Sequence, residues 1–174
     1  MKRRFQISVI GYNHDSCTKV AYEAAYRLGR SIAAKGGVVV CGGLGGVMEA
    51  ACKGARDGGG MSVGILPSSD LRDANRYVDF AVATGLGHAR NFLVAYSGDA
   101  VVVVGGGAGT LIEAAAAYQL GKPVVAIKGS GGIADEIAGR HLDSRKTSRI
   151  FEAADSAEAV AIAMRVVQRK REPK

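Results

Sequence analysis

Two stretches of the chain repeat one pattern, in which an apolar run leads into a glycine-rich loop and then to a single glutamate. Residues 38–51 read VVVCGGLGGVMEAA and residues 102–115 read VVVGGGAGTLIEAA, and a shift of 64 positions makes nine of the 14 aligned residues identical. The pattern is typical of a buried strand that feeds a helix, whose first N–H groups are unpartnered and attract anions. Two such turns predict a cleft for a phosphorylated ligand, with carboxylates near it.

The second loop is the stronger candidate for a phosphate site. The backbone N–H groups of Gly106, Gly107 and Gly109 could surround a phosphate, with the hydroxyl of Thr110 added to them. A tight strand-to-helix turn also needs small residues, but four of them exceed that need. The first loop supplies three further ligand-binding candidates: Gly42, Gly43 and Gly45.

Neither loop fits two common nucleotide-binding motifs. A Walker P-loop would continue into Lys-Ser or Lys-Thr, which neither loop does. The dinucleotide fingerprint follows the first strand of its fold, whereas these glycines follow the predicted second and fifth strands. The loops therefore suit a single phosphate group or a mononucleotide better than NAD.

Each repeat places one glutamate in the predicted first turn of its helix. Thr110 and Glu113 have the spacing of a capping box, in which the glutamate would bond only to the threonine N–H. Glu49 has Gly46 at the corresponding position, so a capping role is weaker for it. A ligand-facing carboxylate and a glutamate that merely complements the helix dipole remain equal alternatives for Glu49.

A second group of candidates starts the predicted third helix. Arg90 lies in its first turn, where the helix dipole disfavours a cation, so an anionic ligand or Glu113 would be its natural partner. A surface salt bridge is the alternative. Asn91 could add a hydrogen bond to the same ligand, whereas His88 is more simply a surface residue.

The loop after the first strand adds polar candidates to the same edge of the sheet. Gly11 and Ser16 are assigned to the ligand site, and Asn13 and Asp15 lie between them. Ordinary polar loop chemistry explains these side chains equally well.

The elements that must position these residues alternate along the chain. Strands are predicted at 5–10, 38–41, 61–66, 78–83, 100–104 and 123–127, with a short one near 149–155. Helices are predicted at 18–35, 47–57, 88–97, 110–120 and 156–169, with one helical turn at 133–138. This order predicts an α/β, three-layer Rossmann-like fold with a mostly parallel, six- to seven-stranded sheet and helices on both faces. The loops after strands one, two, four and five should meet at one edge.

Residues 1–174 should form one such domain, with flexible basic ends at 1–4 and 170–174. The net charge of +7 comes from residues 1–4 and 165–174, since residues 5–164 carry 15 basic and 15 acidic side chains. With no Trp and no aromatic cluster in the sequence, nucleic acid is not expected as a partner.

The cysteines and apolar runs indicate a cellular location. Cys17, Cys41 and Cys52 form no C-x-x-C motif, and their odd number fits a reducing cytoplasm. No apolar run approaches a membrane span, so no membrane partner is expected. The three histidines lack metal-ligand spacing, so any metal would arrive with the ligand.

Three segments carry a resemblance to a known family. VGGGAGTLIEAAAAYQLGKPVVAI resembles the PGGxGTxxE signature of the LONELY GUY (LOG) superfamily, whose members are often mislabelled lysine decarboxylases. GGLGGVMEAACKGARDGGGMSVGILP is similar to that family's upstream glycine loop, and GHARN to its arginine segment. The match covers roughly residues 5–128. IGYNHDS, GGVMEAA and GHARN look closer to the subgroup of molybdenum-cofactor carrier proteins.

The resemblance implies two alternative functions. The first is a carrier that binds the molybdenum cofactor, a pterin phosphate, or a similar phosphorylated nucleotide-like molecule, with no further cofactor required. The second is a LOG-type phosphoribohydrolase that splits a nucleoside 5′-monophosphate into base and ribose 5-phosphate. In that enzyme Glu113 would face the ribose and act with Arg90 as the catalytic residues. Lysine decarboxylation is not expected, and the resemblance implies a homodimer or homotetramer.

Departures from the LOG pattern favour the carrier. Gly105 replaces the signature proline, and Asn91 replaces the lysine that usually stands beside the arginine. Val47-Met48-Glu49 replaces Leu-Met-Gly. One positive charge is lost and one carboxylate is gained, while the phosphate loop is unchanged.

Overall fold

Seven strands make one parallel sheet in the computed structural model, which describes residues 3–146 and 148–171. Apolar β-branched runs such as VVVC and AVVVV form its buried central strands, as expected for strands covered on both faces. The strands are β1 (Gln6–Gly11), β2 (Val38–Cys41), β3 (Met61–Leu66), β4 (Phe80–Ala83), β5 (Ala100–Val104), β6 (Val124–Ile127) and β7 (Phe151–Ala153).

Six α-helices connect the strands and cover both faces of the sheet. The helices α1, α2 and α6 pack on one face, and α3, α4 and α5 pack on the other. This confirms the predicted three-layer α/β fold. The helices are α1 (Lys19–Ala34), α2 (Val47–Asp57), α3 (Arg90–Ser97), α4 (Ala108–Gln119), α5 (Gly132–Ile137) and α6 (Ser156–Arg171).

The strand order β4-β3-β2-β1-β5-β6-β7 reverses direction between β1 and β5. Residue Gly11 at the end of β1 pairs with Val104 at the end of β5. In open parallel sheets the crevice beyond the carboxyl ends of two such strands is the usual ligand site. The topology therefore places the loops after β1 and β5 side by side.

Several predicted boundaries differ from the structure. Helix α3 begins at Arg90 rather than at residue 88, because Gly87–Ala89 form a separate 3-10 turn. Helix α4 begins at Ala108, two residues before the predicted start. Strand β4 begins at Phe80 rather than at 78. The predicted single turn at 133–138 is the short helix α5.

The basic ends are only partly described. Arg3 pairs with Asp99 at 2.5 Å, and the Lys170 ammonium donates to the carbonyl of Gly121. Residues 1–2 and 172–174, which belong to the ends predicted to be flexible, lie outside the described residues. No helix in the described part of the chain is both long and apolar enough to cross a membrane.

Candidate functional site

A cavity of about 310 Å³ opens at the carboxyl edge of the sheet, at the reversal of strand order. Residues from the loops after β1, β2, β4 and β5 line it, which are the four loops that the sequence predicted to meet. The volume is at the small end of the range for small-molecule sites. The lining residues are Gly11, Tyr12, Asn13, Ser16, Leu44, Met48, His88, Arg90, Asn91, Gly107, Gly109, Thr110 and Glu113.

The first turn of α4 forms one wall of this cavity. The helix has Gly107 as its N-cap, and its first hydrogen bond runs from the Leu111 N–H to the Gly107 carbonyl, 3.0 Å away. The amides of Ala108, Gly109 and Thr110 therefore have no carbonyl partner within the helix. Gly107 and Gly109 lie on the cavity, so a group bound there would meet exposed backbone and the positive end of the helix dipole.

The early start of α4 also decides the role of Thr110. A capping box would need Thr110 outside the helix as the N-cap residue. Because Gly107 occupies that position, Thr110 lies inside the first turn and the predicted Thr110–Glu113 capping alternative does not apply. Thr110 is buried on the cavity wall instead, where its side chain packs against the backbone of Gly106.

A segment to which the sequence assigned no role holds the second glycine loop. The Gly105 N–H donates to Ser130 Oγ at 2.9 Å, and Ser130 Oγ donates to the Ile127 carbonyl at 2.6 Å. The first amides of α5, those of Ile133 and Ala134, donate to the carbonyls of Gly106 and Gly105, each at 3.0 Å. These bonds fix the loop before any ligand arrives.

Another part of the cavity is less polar than the α4 turn. Tyr12, Leu44 and Met48 line it, and none of the three was predicted as a site residue. Tyr12 fills the space over two glycines, because a Cβ on Gly105 or Gly132 would collide with its ring or hydroxyl. Leu44 and Met48 give no chemical signal in the sequence, since apolar residues beside a glycine loop are ordinary core residues.

Arg90 and Glu113 face each other at the base of the cavity. Their side chains are 8% and 10% exposed, and Arg90 Nη1 lies 4.0 Å from Glu113 Oε1. Removing two charges from water is costly unless they are paired and hydrogen-bonded. The surface salt bridge considered for Arg90 is therefore excluded, because both partners are buried.

The pairing leaves part of the arginine unsatisfied. Among the described residues, Nε of Arg90 is the one buried side-chain nitrogen or oxygen with no hydrogen-bond partner. Buried donors of this kind are rare, and an unbound ligand or water is a common reason for them. Burial lowers the pKa of Arg90 despite the opposing charge of Glu113.

Burial shifts the pKa of Glu113 in the opposite direction to that of Arg90. Burial raises the pKa of Glu113 to about 7, although the Arg90 charge acts to lower it. A carboxyl group that titrates near neutrality can hold or release a proton under working conditions. The pair thus combines a fixed cation with an acid that can be neutral or charged.

The glycines of the first loop pack against other residues and do not line the cavity. Gly42 is buried directly beneath Arg90, since a Cβ at Gly42 would collide with Arg90 Nη1. Gly43 packs against Leu66, and Gly45 packs against His14. None of Gly42, Gly43 and Gly45 is among the lining residues, nor is Gly106.

Some of the remaining candidate residues line the cavity, and others lie outside it. Ser16, Asn91 and the less favoured His88 all line the cavity, and the Asn91 amide lies near Gly109. Glu49 is half-buried outside the lining and interacts with the Tyr22 hydroxyl. Asp15 is exposed and is not part of the lining.

The described residues offer no protein-borne metal site. Within residues 3–146 and 148–171, no three His, Cys, Asp or Glu side chains come together as metal ligands would. The cavity itself presents the first amides of α4, one arginine, one carboxyl group and several apolar side chains.

Comparison with known proteins agrees with this architecture. The chain matches the SLOG cluster4 family over residues 4–164. An uncharacterized protein of Archaeoglobus fulgidus is 49% identical over 124 residues, which are 71% of this chain and 80% of that protein.

Two solved structures are similar along nearly the whole chain. The molybdenum cofactor binding protein from Rippkaea orientalis has a TM-score of 0.85 and 32% identity, with 96% of this chain and 99% of that chain covered. The molybdenum cofactor carrier protein from Chlamydomonas reinhardtii has a TM-score of 0.81 and 33% identity, with 95% and 99% covered. The predicted resemblance is confirmed, and the chain belongs to the SLOG cluster4 family, a LOG-like group with structural neighbours among the molybdenum-cofactor carriers.

Proposed function

We propose that this protein binds a phosphorylated pterin-like molecule, with the molybdenum cofactor as the first candidate, in the cavity between β1 and β5. One observation carries the proposal: the first turn of α4, whose amides have no partner within the helix, and the buried Arg90 line the same small cavity. Amides and a guanidinium are the groups that recognise phosphate oxygens in proteins. The carrier proteins that resemble this chain support the pterin assignment.

The polar and the apolar lining residues suit the two chemically different parts of such a ligand. A phosphate would rest against Gly107 and Gly109, where a Cβ on Gly107 would meet no atom within 4 Å. The ring system would lie toward Tyr12, Leu44 and Met48, which supply apolar contact. Molybdenum would enter as part of this cargo.

The test is a binding measurement on purified protein. Small molecules released by denaturation are separated and examined for phosphorylated pterins and nucleotides, and the protein is then titrated with isolated molybdenum cofactor. We expect binding that falls about 100-fold in Arg90→Ala, because a buried charged hydrogen bond is worth about 1.5–3 kcal/mol. Arg27→Ala is the control, since Arg27 is exposed on α1. Equal affinity in Arg90→Ala would contradict the proposed site.

The pKa of Glu113 supports a second candidate function. A carboxyl group that titrates at about 7 beside a cation fits general acid–base work in nucleoside 5′-monophosphate hydrolysis. Incubation with a panel of nucleoside monophosphates, with Glu113→Ala alongside, distinguishes the two. Base release by the native protein alone would establish the phosphoribohydrolase. No release by folded protein would favour the carrier.

We further propose that the protein is a homodimer or homotetramer. Helices α3 and α4 carry no charged side chains other than the buried Arg90 and Glu113, yet expose large apolar ones, including Phe92, Tyr96 and Ile112. An apolar surface of this kind marks an interface, and in homo-oligomers the same patch serves both copies. We expect Ile112→Glu to lower the mass measured by light scattering, whereas Val20→Glu on the opposite face should not.

The cysteines support the proposed cytoplasmic location. Cys17, Cys41 and Cys52 are all free thiols. A reducing compartment keeps cysteines in this state. Imaging of a tagged protein in cells would test this location.

A further inference from the structure

Two of the three cysteines meet beneath the candidate site. Cys41 ends β2 and Cys52 lies in the middle of α2, and their sulfur atoms are 3.4 Å apart. Both side chains are fully buried and both are free thiols. The third cysteine, Cys17, lies apart from them in the loop before α1.

The pair is joined to the binding cavity through the backbone. Cys41 is followed by Gly42, which supports the Arg90 guanidinium, and the Gly43 N–H donates to Cys41 Sγ at 3.3 Å. On the other side, the Cys41 thiol lies 3.9 Å from the carbonyl of Met48, a cavity residue. Cys41 therefore contacts backbone groups that adjoin two cavity residues, Arg90 and Met48.

We propose that Cys41 and Cys52 form a reversible intramolecular disulfide, and that this modification weakens ligand binding in the adjacent cavity. The second half of the proposal rests on the proposed binding function, whereas the first half does not. The oxidant would be a small hydroperoxide, with hydrogen peroxide as the simplest case. A low-molecular-weight thiol would reverse the reaction.

The chemistry balances with one equivalent of hydrogen peroxide. The shared hydrogen bond lowers the pKa of Cys52 and, together with burial, raises the pKa of Cys41. The lowered pKa favours Cys52 as the first nucleophile. Its thiol gives up a proton and the sulfur attacks one peroxide oxygen, so that an S–O bond forms and the O–O bond breaks; the hydroxide that leaves takes up that proton, giving a sulfenic acid and water. Cys41 then attacks the Cys52 sulfur, the S–O bond breaks, and a second water leaves with the disulfide in place.

The new bond would disturb the floor of the site. A disulfide requires sulfur atoms about 2.05 Å apart, so the pair must approach by roughly 1.4 Å. Strand β2 is paired on both sides, with β1 and β3, so most of this movement falls on α2 and on the loop that precedes it. Gly43 would also lose its thiol acceptor. Both changes shift Gly42 and Met48 relative to Arg90.

Burial predicts how the reaction behaves. Neither thiol reaches solvent in the closed molecule, so oxidation requires local opening of the 42–46 loop or of α2. A ligand that holds the cavity closed should slow it. By thermodynamic linkage, a disulfide that weakens binding is itself disfavoured by the bound ligand.

The experiment treats native protein and Cys17→Ser with hydrogen peroxide and counts thiols by intact mass and peptide mapping. We expect a loss of two hydrogen atoms, a cross-link between the peptides of Cys41 and Cys52, and reversal by dithiothreitol in both proteins. Cys52→Ser should not cross-link, and Cys41→Ala serves as a second variant if Cys52→Ser fails to fold. A folded protein that forms no such bond, or forms one through Cys17, would overturn the proposal.

The coupling to the site is measured separately. Binding of inorganic phosphate by calorimetry should weaken about tenfold in the oxidised protein and recover after reduction, and phosphate should slow the oxidation. Unchanged affinity in fully cross-linked protein would overturn the coupling. If reduced protein binds phosphate independently of Arg90, the proposed binding function fails, while the cross-link result stands on its own.

Discussion

The two glycine loops have nearly the same sequence but serve different purposes in the structure. In the loop after β2, Gly42, Gly43 and Gly45 are each in contact with a residue from elsewhere in the chain. In the loop after β5, a Cβ on Gly107 would meet nothing within 4 Å, and one on Gly109 would meet only Asn91, at 3.8 Å. The first loop uses small residues to allow close packing, and the second presents bare backbone to a cavity.

The two glutamates differ in the same way. Glu113 is buried beside Arg90, whereas the equivalent Glu49 is half-buried beside Tyr22. Each loop is held by a side chain from another part of the chain. The Asn75 amide donates to the carbonyls of Gly43 and Leu44, and Ser130 Oγ accepts from Gly105. A repeated motif therefore predicts local geometry, while its function depends on what packs against it.

The largest expected effect is on the pH dependence of stability, and it comes from Glu113. Because the pKa of Glu113 rises from 4.5 to about 7 on folding, the folded state holds a proton that the unfolded state releases. This contribution is fully present below about pH 4.5 and is lost as the pH rises through 7, with a maximum of about 3 kcal/mol. Urea unfolding of native protein and Glu113→Gln from pH 4 to 8 measures it.

Glu113→Gln, which stays neutral, should flatten this part of the pH profile. Glu49→Gln is the matched control for the loss of one carboxyl group from the equivalent position of the first repeat. An unchanged slope in Glu113→Gln would show that another group is responsible for the pH dependence.

The second effect compares the same substitution at one glycine of each loop, although the two positions are not aligned in the repeat. Gly42→Ala forces a methyl group against the Arg90 guanidinium, so we expect unfolding free energy to fall by about 1–3 kcal/mol. Gly107→Ala meets open space, so its cost should be only that of alanine in place of glycine at the N-cap of α4, below about 1 kcal/mol. Thermal unfolding of both variants decides whether the first loop is the packed one, and equal losses would contradict the distinction.

The third effect concerns the support of the second loop. Ser130→Ala leaves the buried Gly105 N–H without its acceptor, which should cost about 1–2 kcal/mol of stability. Ligand affinity should fall as well, because the loop loses its fixed geometry. Ser130→Thr keeps the hydroxyl and should restore most of the affinity, as measured by calorimetry. If Ser130→Ala binds as tightly as the native protein, the loop does not need this support.

The smallest expected effect is on ligand affinity when the exposed backbone at Gly107 is covered by a methyl group. Gly107→Ala should weaken phosphate-ligand binding by about 1 kcal/mol, or roughly fivefold, because a methyl group limits the approach to the α4 amides. Arg27→Ala, whose side chain is exposed on α1, is the control. Affinity that is equally lowered in both variants would argue against direct contact at Gly107.

Much of the fold could be predicted from the sequence. The alternation of β-branched runs with amphipathic segments predicted the parallel sheet, and parallel strands necessarily bring their carboxyl ends to one edge. Boundaries were less secure: the α4 start at Ala108 was missed because Thr110 resembles a capping residue. The short helix α5 was understated because its segment is rich in glycine.

The candidate site also has residues that could be predicted from the sequence and residues that could not. Residue types alone indicated Arg90 and the second glycine loop, since a cation at a helix start and a run of glycines are locally unfavourable without a further reason. Glu113 was indicated only by the family resemblance, because its spacing from Thr110 by itself predicted a capping role. No comparable feature of the sequence indicated the other site residues, which are Tyr12, Leu44, Met48 and Ser130. Their roles come from contacts with residues far away in the sequence.

The sequence by itself determined which elements form, their order and the edge where the loops converge, because these follow from periodicity, turn residues and strand handedness. Only the tertiary structure decided which of two nearly identical loops is open. That distinction depends on Arg90, Leu66 and His14, which fill the space around the first loop and leave Gly107 uncovered. Such close contacts between distant segments are fixed by packing in three dimensions, and no local pattern encodes them.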